Sequence, residues 1–503
     1  MRNHLTRSFA VALTLAAVAG LAQAKPDGQP PIEELQPAFI PVAVPPGATP
    51  TRQTVEFSAA RVDLGLLSGL TPGDWFALNV TPTRTLAAKV EKVERRLDGC
   101  YSIIGSVEGD EGSILVLAVE YDAVAAMIQS PTTRETYRLK YVADGVHLVC
   151  AIDPSQFKPC GGSDQAPPPN AIDDFVPDPD DGLVIPPNPD GEGGTRGACN
   201  APQTVFDGMI AYSDDARAAA GGTNAINAEC QVTVDVTNLA YSRSGVAARY
   251  RLVWRGEVAY AESGNSSTDL GRLQNTSDGF IDGLHTTRDT FNADFLTLWV
   301  DSLDACGRAY CTSDRGSAMS VVQWECAAGN FSHPHEIGHN QGCDHNPEDG
   351  GNCSNYSYGY GHRFFVSGTG YRTIMSYNND ANQYTRIGYF SNPNVNFNGV
   401  ATGTSTRDNA RVINNTRATC EGFELTRMDI WVQIGWAGVQ IGTYALPYNA
   451  VSTAIGQIQV PGPGASEDPN LYIKSGTSTY TGTITKRMTI RACGGIVNIG
   501  GNP

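Results

Sequence analysis

The chain has 503 residues, with 35 Lys and Arg against 52 Asp and Glu, so its formal net charge is −17. This acidic balance argues against nucleic-acid binding, which needs a basic surface facing the phosphates, and against docking on an anionic membrane. Charged residues make up only 17% of a chain with 54 Gly, which is typical of a loop-rich β or α/β protein, and the length predicts two or three domains.

The N-terminus predicts export. A basic segment precedes a short apolar run over residues 9–22, and Ala22-Gln23-Ala24 has the small residues of a cleavage site. This is the pattern of a secretory signal peptide over residues 1–24, too short to span a bilayer; the alternative is an uncleaved N-terminal anchor. No later run reaches the ~18 apolar residues of a membrane helix, so we predict a secreted protein without a membrane span, in which disulfides form.

Residues 25–160 and residues 161–197 differ sharply in composition. The first segment carries short apolar runs that predict strands, and it holds no cluster of catalytic residue types. The second holds eight prolines interleaved with Asp and Gly, so it cannot bury a core and is predicted to be an exposed linker. Because exposed linkers are natural sites of proteolysis, we predict a β-rich pro-domain over 25–160 that is released by cleavage within 161–197.

Residues 198–425 alternate between predicted strands and helices. Strands are predicted at 204–212, 248–253, 295–300 and 318–324, and helices at 224–241, at 268–287 and across the histidines that follow. This alternation predicts an α/β layer architecture for this segment. Residues 428–503 are Gly-rich, with short Ile, Val and Thr strands and no helix signal. They predict a small all-β module, which resembles one or two rungs of a parallel β-helix; a small β-sandwich is the alternative.

A cluster of histidines on one predicted helix indicates a metal site. His335 and His339 are four residues apart, project from one helix face and can share a metal ion. Glu336 lies beside them, where it can reach a metal-bound water without being a ligand. Gly342 permits a left-handed turn that ends the helix, and this reversal brings His345 back as a third ligand.

Three nitrogen ligands leave a position open for water, which is the arrangement of a catalytic zinc site, whereas a structural site usually closes its fourth position. The alternatives are an incidental polar cluster and a structural metal site. The nearby Cys343 occupies a spacer position and is predicted to form a disulfide with Cys353. His333 lies two residues before the first ligand, off the helix face, so no role is predicted for it.

The segment from about 199 to 425 resembles the metzincins, a superfamily of zinc endopeptidases. The resemblance rests on the motif H-E-I-G-H-N-Q-G-C-D-H from His335, followed by Met375 within T-I-M-S-Y. The strings C-N-A-P-Q-T-V from Cys199 and Y-F-S-N-P-N-V from Tyr389 are similar to those of bacterial reprolysin-like (adamalysin-like) proteases, in particular the peptidyl-Asp metalloendopeptidase group. Adamalysin-type proteins usually have Asp after the third His, where this chain has Asn346.

The resemblance implies a zincin fold and one catalytic Zn²⁺ held by the three histidines of the motif. In such a site the metal activates a water, Glu336 takes a proton from it as general base and then delivers that proton to the leaving amine. Met375 is implied to form an apolar floor under the imidazoles. Tyr377 matches the spacing of a tyrosine that stabilises the oxyanion in related families; a packing role is the alternative.

Substrate selection and calcium binding are less determined by the sequence. An acidic side chain next to the cleaved bond needs an Arg or Lys partner, and Arg372 and Arg386 are candidates; the alternative is that both are solvated surface residues. The loop Asn378-Asn379-Asp380 has calcium-ligand residue types, but the chain contains no EF-hand or nonapeptide repeat that would support Ca²⁺ binding.

Cys160 lies in the string K-P-C-G-G-S-D, which resembles the cysteine-switch segment of matrixin pro-regions without its Arg. A thiolate there would occupy the fourth zinc position and keep the enzyme latent, and a Cys100–Cys150 disulfide would leave it free. The cysteine count equally permits a disulfide from Cys160 to Cys150 or to the catalytic domain. In each case the pro-domain is predicted to inhibit by lying in the cleft.

These observations favour a secreted, monomeric bacterial zinc endopeptidase that is made as a zymogen and acts on protein or peptide substrates. One alternative is a secreted binding or adhesion protein on a degenerate metzincin scaffold, against which the intact motif argues. Another is a zinc esterase or amidase, against which an extended substrate cleft would argue.

Overall fold

The computed structural model describes residues 30–96, 99–162, 204–311, 314–349, 354–378, 382–425 and 427–500. The predicted signal peptide, most of the predicted linker, Cys199, Cys353 and the end of the Asn378-Asn379-Asp380 loop lie outside these residues. Among the described helices, none is long and apolar enough to cross a membrane.

The N-terminal domain is one antiparallel sheet of nine strands, in the spatial order β1-β2-β9-β8-β7-β6-β5-β4-β3. Its strands are β1 Phe39–Val42, β2 Thr54–Val62, β3 Trp75–Thr81, β4 Arg84–Arg95, β5 Tyr101–Val107, β6 Asp110–Glu120, β7 Ala123–Ser130, β8 Glu135–Ala143 and β9 Val146–Ile152, with helix α1 at Leu64–Gly69. The two ends of the sheet meet, because Ala38 N donates to Ala77 O at 2.8 Å beside β1 and β3. The predicted β-rich fold of this segment is therefore confirmed.

The catalytic domain is built on a five-stranded sheet, in the order β11-β10-β12-β14-β13. The strands are β10 Thr204–Ser213, β11 Ala248–Val258, β12 Phe295–Val300, β13 Gly307–Ala309 and β14 Met319–Gln323. All pairs are parallel except β13 with β14. The helices within this region are α2 Asp214–Ala220, α3 Thr223–Arg243, α4 Ser266–Gln274, α5 Gly283–Phe291, α6 Trp324–Ala327 and α7 Ser332–Asn340.

Both faces of this sheet are covered by helices, as its sequence pattern requires. Along β12, Phe295 and Trp299 pack in the cluster that contains α3, whereas Leu296 and Leu298 pack in the cluster that contains α4 and α5. Successive side chains of a strand point to opposite faces, and a parallel sheet is buried on both. The predicted α/β layer architecture is confirmed.

One predicted helix is divided in two. The segment 268–287 was expected to be mostly helical, but α4 ends at Gln274 and α5 begins at Gly283. The intervening residues bond locally: Asn275 Oδ1 accepts from Ser277 N at 3.0 Å, and Asp282 Oδ2 accepts from Gly279 N at 3.0 Å. Side-chain acceptors of this kind compete with helical hydrogen bonds, which ends the first helix.

The part of the domain that follows α7 in the chain consists of short elements around the histidine motif. They are β15 Arg363–Val366, β16 Thr369–Arg372, β17 Tyr384–Arg386, β18 Asn396–Phe397, β19 Val400–Ala401 and helix α8 Asn409–Glu421. The turn with Met375 lies between β16 and β17. Met375 belongs to the same hydrophobic cluster as Ile337 of α7.

The C-terminal module is not all-β, as had been predicted. Its strands β20 Asp429–Val432, β21 Asn470–Ser478 and β22 Thr489–Ile499 are all parallel, and helix α9 Val451–Gln457 connects the first two. Parallel strands need a crossover connection, and α9 buries Val451, Ala454 and Ile455 against them. These apolar positions at i, i+3 and i+4 are the helix signal that the sequence prediction missed.

The N-terminal domain packs on helix α3 of the catalytic domain. Along β6, Leu115 and Leu117 face the interior of their own domain, whereas Val116 and Ala118 join the cluster around α3. Two buried ion pairs flank this contact: Arg138 lies 2.5 Å from Glu229, and Arg255 lies 2.9 Å from Glu120. The interface is thus both apolar and ionic.

The cysteines differ from the predicted pairing. Cys343 is a buried free thiol that donates to Asn409 O at 3.6 Å, so the predicted Cys343–Cys353 disulfide is wrong; Cys343 points into the core against α8. Cys150 and Cys160 also carry free thiols, which excludes the Cys100–Cys150 pairing considered above and both disulfide alternatives for Cys160. Cys306 is bonded to Cys326, and Cys311 and Cys493 are disulfide-bonded too.

Candidate metal centre and active site

Helix α7 and the turn after it bring three imidazoles together. His335 and His339 lie one turn apart, and the helix ends where Gly342 takes a positive φ of 91°. Cys343 N then donates to Gly338 O at 2.9 Å, as in a Schellman-type helix end. The chain reverses, and His345 Nε2 lies 3.1 Å from His335 Nε2 and 2.9 Å from His339 Nε2.

The second ring nitrogen of two of these histidines is bonded to the backbone. His335 Nδ1 lies 2.9 Å from Ile374 O, and His339 Nδ1 lies 2.9 Å from Cys343 O. A proton on Nδ1 leaves the Nε2 lone pair free for a metal ion. Burial lowers the pKa of His339 to about 4 and holds the pKa of His335 and His345 well below its usual value, so the rings are neutral.

Glu336 lies against the edge strand β13 and is shielded from solvent. It is fully buried, and burial raises its pKa to about 8. Its Oε1 has no hydrogen-bond partner among the described residues. A Cβ atom at Gly307 would lie 2.5 Å from that oxygen, so glycine at this position makes the room in which the carboxyl group sits.

The end of the N-terminal domain enters the site along β13. Cys306 N donates to Pro159 O at 3.0 Å, and Gly161 N donates to Gly307 O at 2.7 Å. Between these bonds, the Cys160 thiol lies 3.6 Å from Glu336 Oε2. Its sulfur and one nitrogen from each of the three histidines all lie within 4.8 Å of one another. Burial, followed by the charge of Glu336, holds the thiol pKa well above its usual value.

Met375 lies under the histidine helix. It is fully buried, and a Cβ atom at Gly338 would lie 2.7 Å from its sulfur and 3.1 Å from Phe390. The close packing of helix and turn therefore depends on glycine at position 338, a residue to which the sequence analysis gave no role. Gly338 directly precedes His339 in the motif, and this spacing does not indicate that Gly338 contacts Met375.

Tyr377 and Asn346 connect the turn to the third histidine. The Tyr377 ring lies 4.1 Å from that of His345, and its hydroxyl donates to Cys160 O at 3.5 Å. Asn346 Oδ1 accepts from Tyr377 N at 2.9 Å and from Ser376 Oγ at 3.0 Å. The amide nitrogen of Asn346 donates to Asp349 at 2.6 Å. A carboxylate here would face another carboxylate, which accounts for Asn in place of the Asp of adamalysin-type proteins.

The two arginines named as substrate-binding candidates are not surface residues. Arg372 is 9% exposed and Arg386 is 7% exposed, so their interpretation as solvated residues is wrong. Arg386 Nη2 lies 2.9 Å from His335 Nδ1, next to the three clustered histidines. His333, by contrast, is buried between Tyr250 and Trp299 and stands outside the cluster.

The donor set fits a metal ion. Three neutral nitrogens converge at separations close to those of ligands that each lie about 2.0–2.1 Å from a shared zinc ion. The unpartnered Glu336 oxygen lies beside them.

Comparison with known proteins agrees with this site. The pattern of the metallo-peptidase family M12B, reprolysin-like, matches residues 203–407. A peptidyl-Asp metalloendopeptidase of Stenotrophomonas maltophilia strain K279a is 33% identical over 324 residues, covering 63% of this chain and 72% of that protein. One from strain R551-3 is 38% identical over 239 residues, 47% of this chain and 56% of its own length. One from Pseudomonas fragi is 33% identical over 190 residues, 37% of this chain and 99% of its own length.

The chain therefore belongs to the reprolysin-like metallopeptidases. It is a metalloendopeptidase, and its histidine cluster is consistent with the metal ion that this family implies. The relatives named peptidyl-Asp metalloendopeptidase come from bacteria.

Proposed function

We propose that the protein is a secreted zinc endopeptidase that cleaves peptide bonds next to Asp and is made as a zymogen. The observation that carries the proposal is the convergence of the Nε2 atoms of His335, His339 and His345 beside the buried Glu336. The preference for Asp is supported by the names of the relatives. Export is supported by the pattern of residues 1–24.

The three histidines would hold Zn²⁺ through their Nε2 atoms. When bound, zinc supplies a Lewis acid that polarises the scissile carbonyl and lowers the pKa of a water. Glu336 accepts a proton from the attacking water at Oε1 and returns it to the leaving amine. A general base and acid works best with a pKa near the operating pH, and burial raises the pKa of Glu336 from its ordinary value toward that range. Tyr377 would donate a hydrogen bond to the oxyanion once its hydroxyl is free of Cys160 O.

Substrate would bind by adding a strand to β13. This strand is antiparallel to β14 at the edge of the sheet, and an extended peptide can bond to such an edge through its backbone. In the intact chain Pro159 and Gly161 make those bonds. The pro-domain is therefore proposed to inhibit in two ways: its chain fills the substrate position, and the Cys160 thiol approaches the metal cluster.

Metal analysis tests the assignment of ligands. His339→Ala removes one of three nitrogens, so we expect the purified variant to lose most of its zinc and its peptidase activity. His362→Ala is the matched control, since His362 is a histidine outside the cluster and should retain about one zinc per chain, as three-histidine zinc sites do. Full zinc occupancy in His339→Ala, with undiminished hydrolysis, would contradict the proposal.

A further inference from the structure

Two buried arginines end the strands β16 and β17, which flank the turn with Met375. Arg372 and Arg386 are each more than nine-tenths buried. Among the described ion pairs, none involves either residue, and the Nε atom of each has no hydrogen-bond partner within the described part of the chain. A buried charge that is not paired is costly, so a group that pairs with these guanidinium groups is expected to come from outside.

The other contacts of the two side chains are with neutral groups and hold them in place. Arg386 donates to Asn330 O at 2.6 Å and also to Ile374 O, the carbonyl that faces His335. Arg372 donates to Ser376 O at 2.5 Å. Backbone carbonyls solvate a guanidinium group but do not neutralise it.

A small cavity gives a ligand access to both arginines. Its volume is about 150 Å³, enough for a few waters or a short side chain. Arg372, Arg386, Asn330 and Tyr384 line it from the catalytic domain, and residues of the N-terminal domain, among them Gln129, Arg134 and Asp153, also line it. The N-terminal domain thus supplies part of the cavity wall in the intact chain, including a carboxylate, and the cavity loses that part when the domain leaves.

We propose that this cavity is the pocket that receives the carboxylate of the substrate residue next to the cleaved bond, with Arg372 and Arg386 as its specificity-determining residues. The proposal rests on the proposed function and deepens it. A guanidinium fork matches a carboxylate in geometry and charge, and Arg386 joins the pocket directly to His335. A peptide could offer that carboxylate from an Asp side chain or from its C-terminus, and the cavity is proposed to take the side chain.

The test compares peptides that differ only in Asp or Asn at one internal position. Enzyme recovered after processing of the full-length chain is expected to prefer Asp in kcat/KM by about 10²-fold or more, since sites built around a polar partner discriminate strongly against analogues that lack it. Arg372→Gln should lower the Asp-to-Asn ratio at least about tenfold while its zinc content stays near the wild-type value. Arg386→Gln should do the same where its zinc content is normal. Arg411→Gln, on α8 above the Tyr358 ring, is the control and should leave the ratio unchanged.

A binding measurement keeps the test independent of catalysis and of variant folding. Zinc-loaded Glu336→Ala chain, cleaved by added wild-type enzyme and purified away from it, is titrated with the Asp and the Asn peptide, each with a free and an amidated C-terminus. Tighter binding of Asp regardless of the terminus supports the pocket; a preference that follows the free C-terminus, or no preference, overturns it. If no peptide is cleaved by wild-type enzyme yet Asp binds selectively, the endopeptidase proposal fails and the pocket stands.

Discussion

Replacing Glu336 with Ala is expected to leave a folded, zinc-loaded protein that has lost nearly all peptidase activity. The carboxyl group of Glu336 lies beside the three histidines without being one of their candidate metal ligands, and removal of a general base typically costs about 10²–10⁴-fold in rate. The measurement is the rate of casein hydrolysis by the processed enzyme, together with zinc analysis of the same sample.

The zinc measurement separates loss of chemistry from loss of the site. A Glu336→Ala enzyme that carries zinc and cleaves casein at a rate near wild type would refute the assignment of the general base.

Tyr377→Phe in the same assay should lower kcat rather than raise KM, since an oxyanion donor acts only in the transition state. An unchanged kcat would leave Tyr377 as a packing residue against His345.

Replacing Cys160 with Ser is expected to make the intact chain active before it is processed. The thiol lies within 4.8 Å of all three histidine nitrogens, and a thiolate ligand in the fourth position would exclude water from the metal ion. Without it, the intact chain should hydrolyse a small peptide at least about tenfold faster than the intact wild-type chain, and it should process itself sooner. The tenfold estimate corresponds to only about 1.4 kcal/mol of lost inhibition, because the bonds along β13 remain.

The control for this variant is Cys150→Ser, which changes a second free thiol of the same domain. Cys150 is a buried residue of β9, a strand that pairs with β2 and β8. It contributes no ligand to the histidine cluster, so its loss should leave latency intact. Equal latency of Cys160→Ser and wild type would show that the pro-domain inhibits only by filling the cleft. The thiol would then have no switching role.

The sequence predicted those parts of the site whose geometry is local. The spacing of His335, His339 and Gly342 is one helical turn followed by a reversal, and helix geometry alone brings the ligands together. The strand at Phe295–Val300 was predicted with the bounds that the structure has, since six consecutive apolar or β-branched residues have no helical period.

Features that depend on contacts between residues far apart in the chain could not be predicted from local sequence patterns. Cys343 lies ten residues before Cys353 in the sequence, yet its side chain packs in the core against α8, which only the tertiary fold determines. The placement of Cys160 depends on backbone bonds to β13, a strand about 150 residues away. The burial of Arg386 beside His335 likewise arises from the packing of β17 against the turn with Met375. The helix α9 was missed for a different reason: three apolar positions in a Gly- and Thr-rich segment are a weak local signal.

The central claim, that these histidines hold a metal ion on which cleavage of internal peptide bonds depends, is tested most directly by mapping cuts in a peptide library. The processed enzyme is incubated with the library as isolated, after treatment with a chelator, and after zinc is restored. We predict internal cuts next to Asp that disappear with the chelator and return with zinc. Cuts that persist in the fully metal-depleted protein, or no cuts under any of the three conditions, would contradict the account.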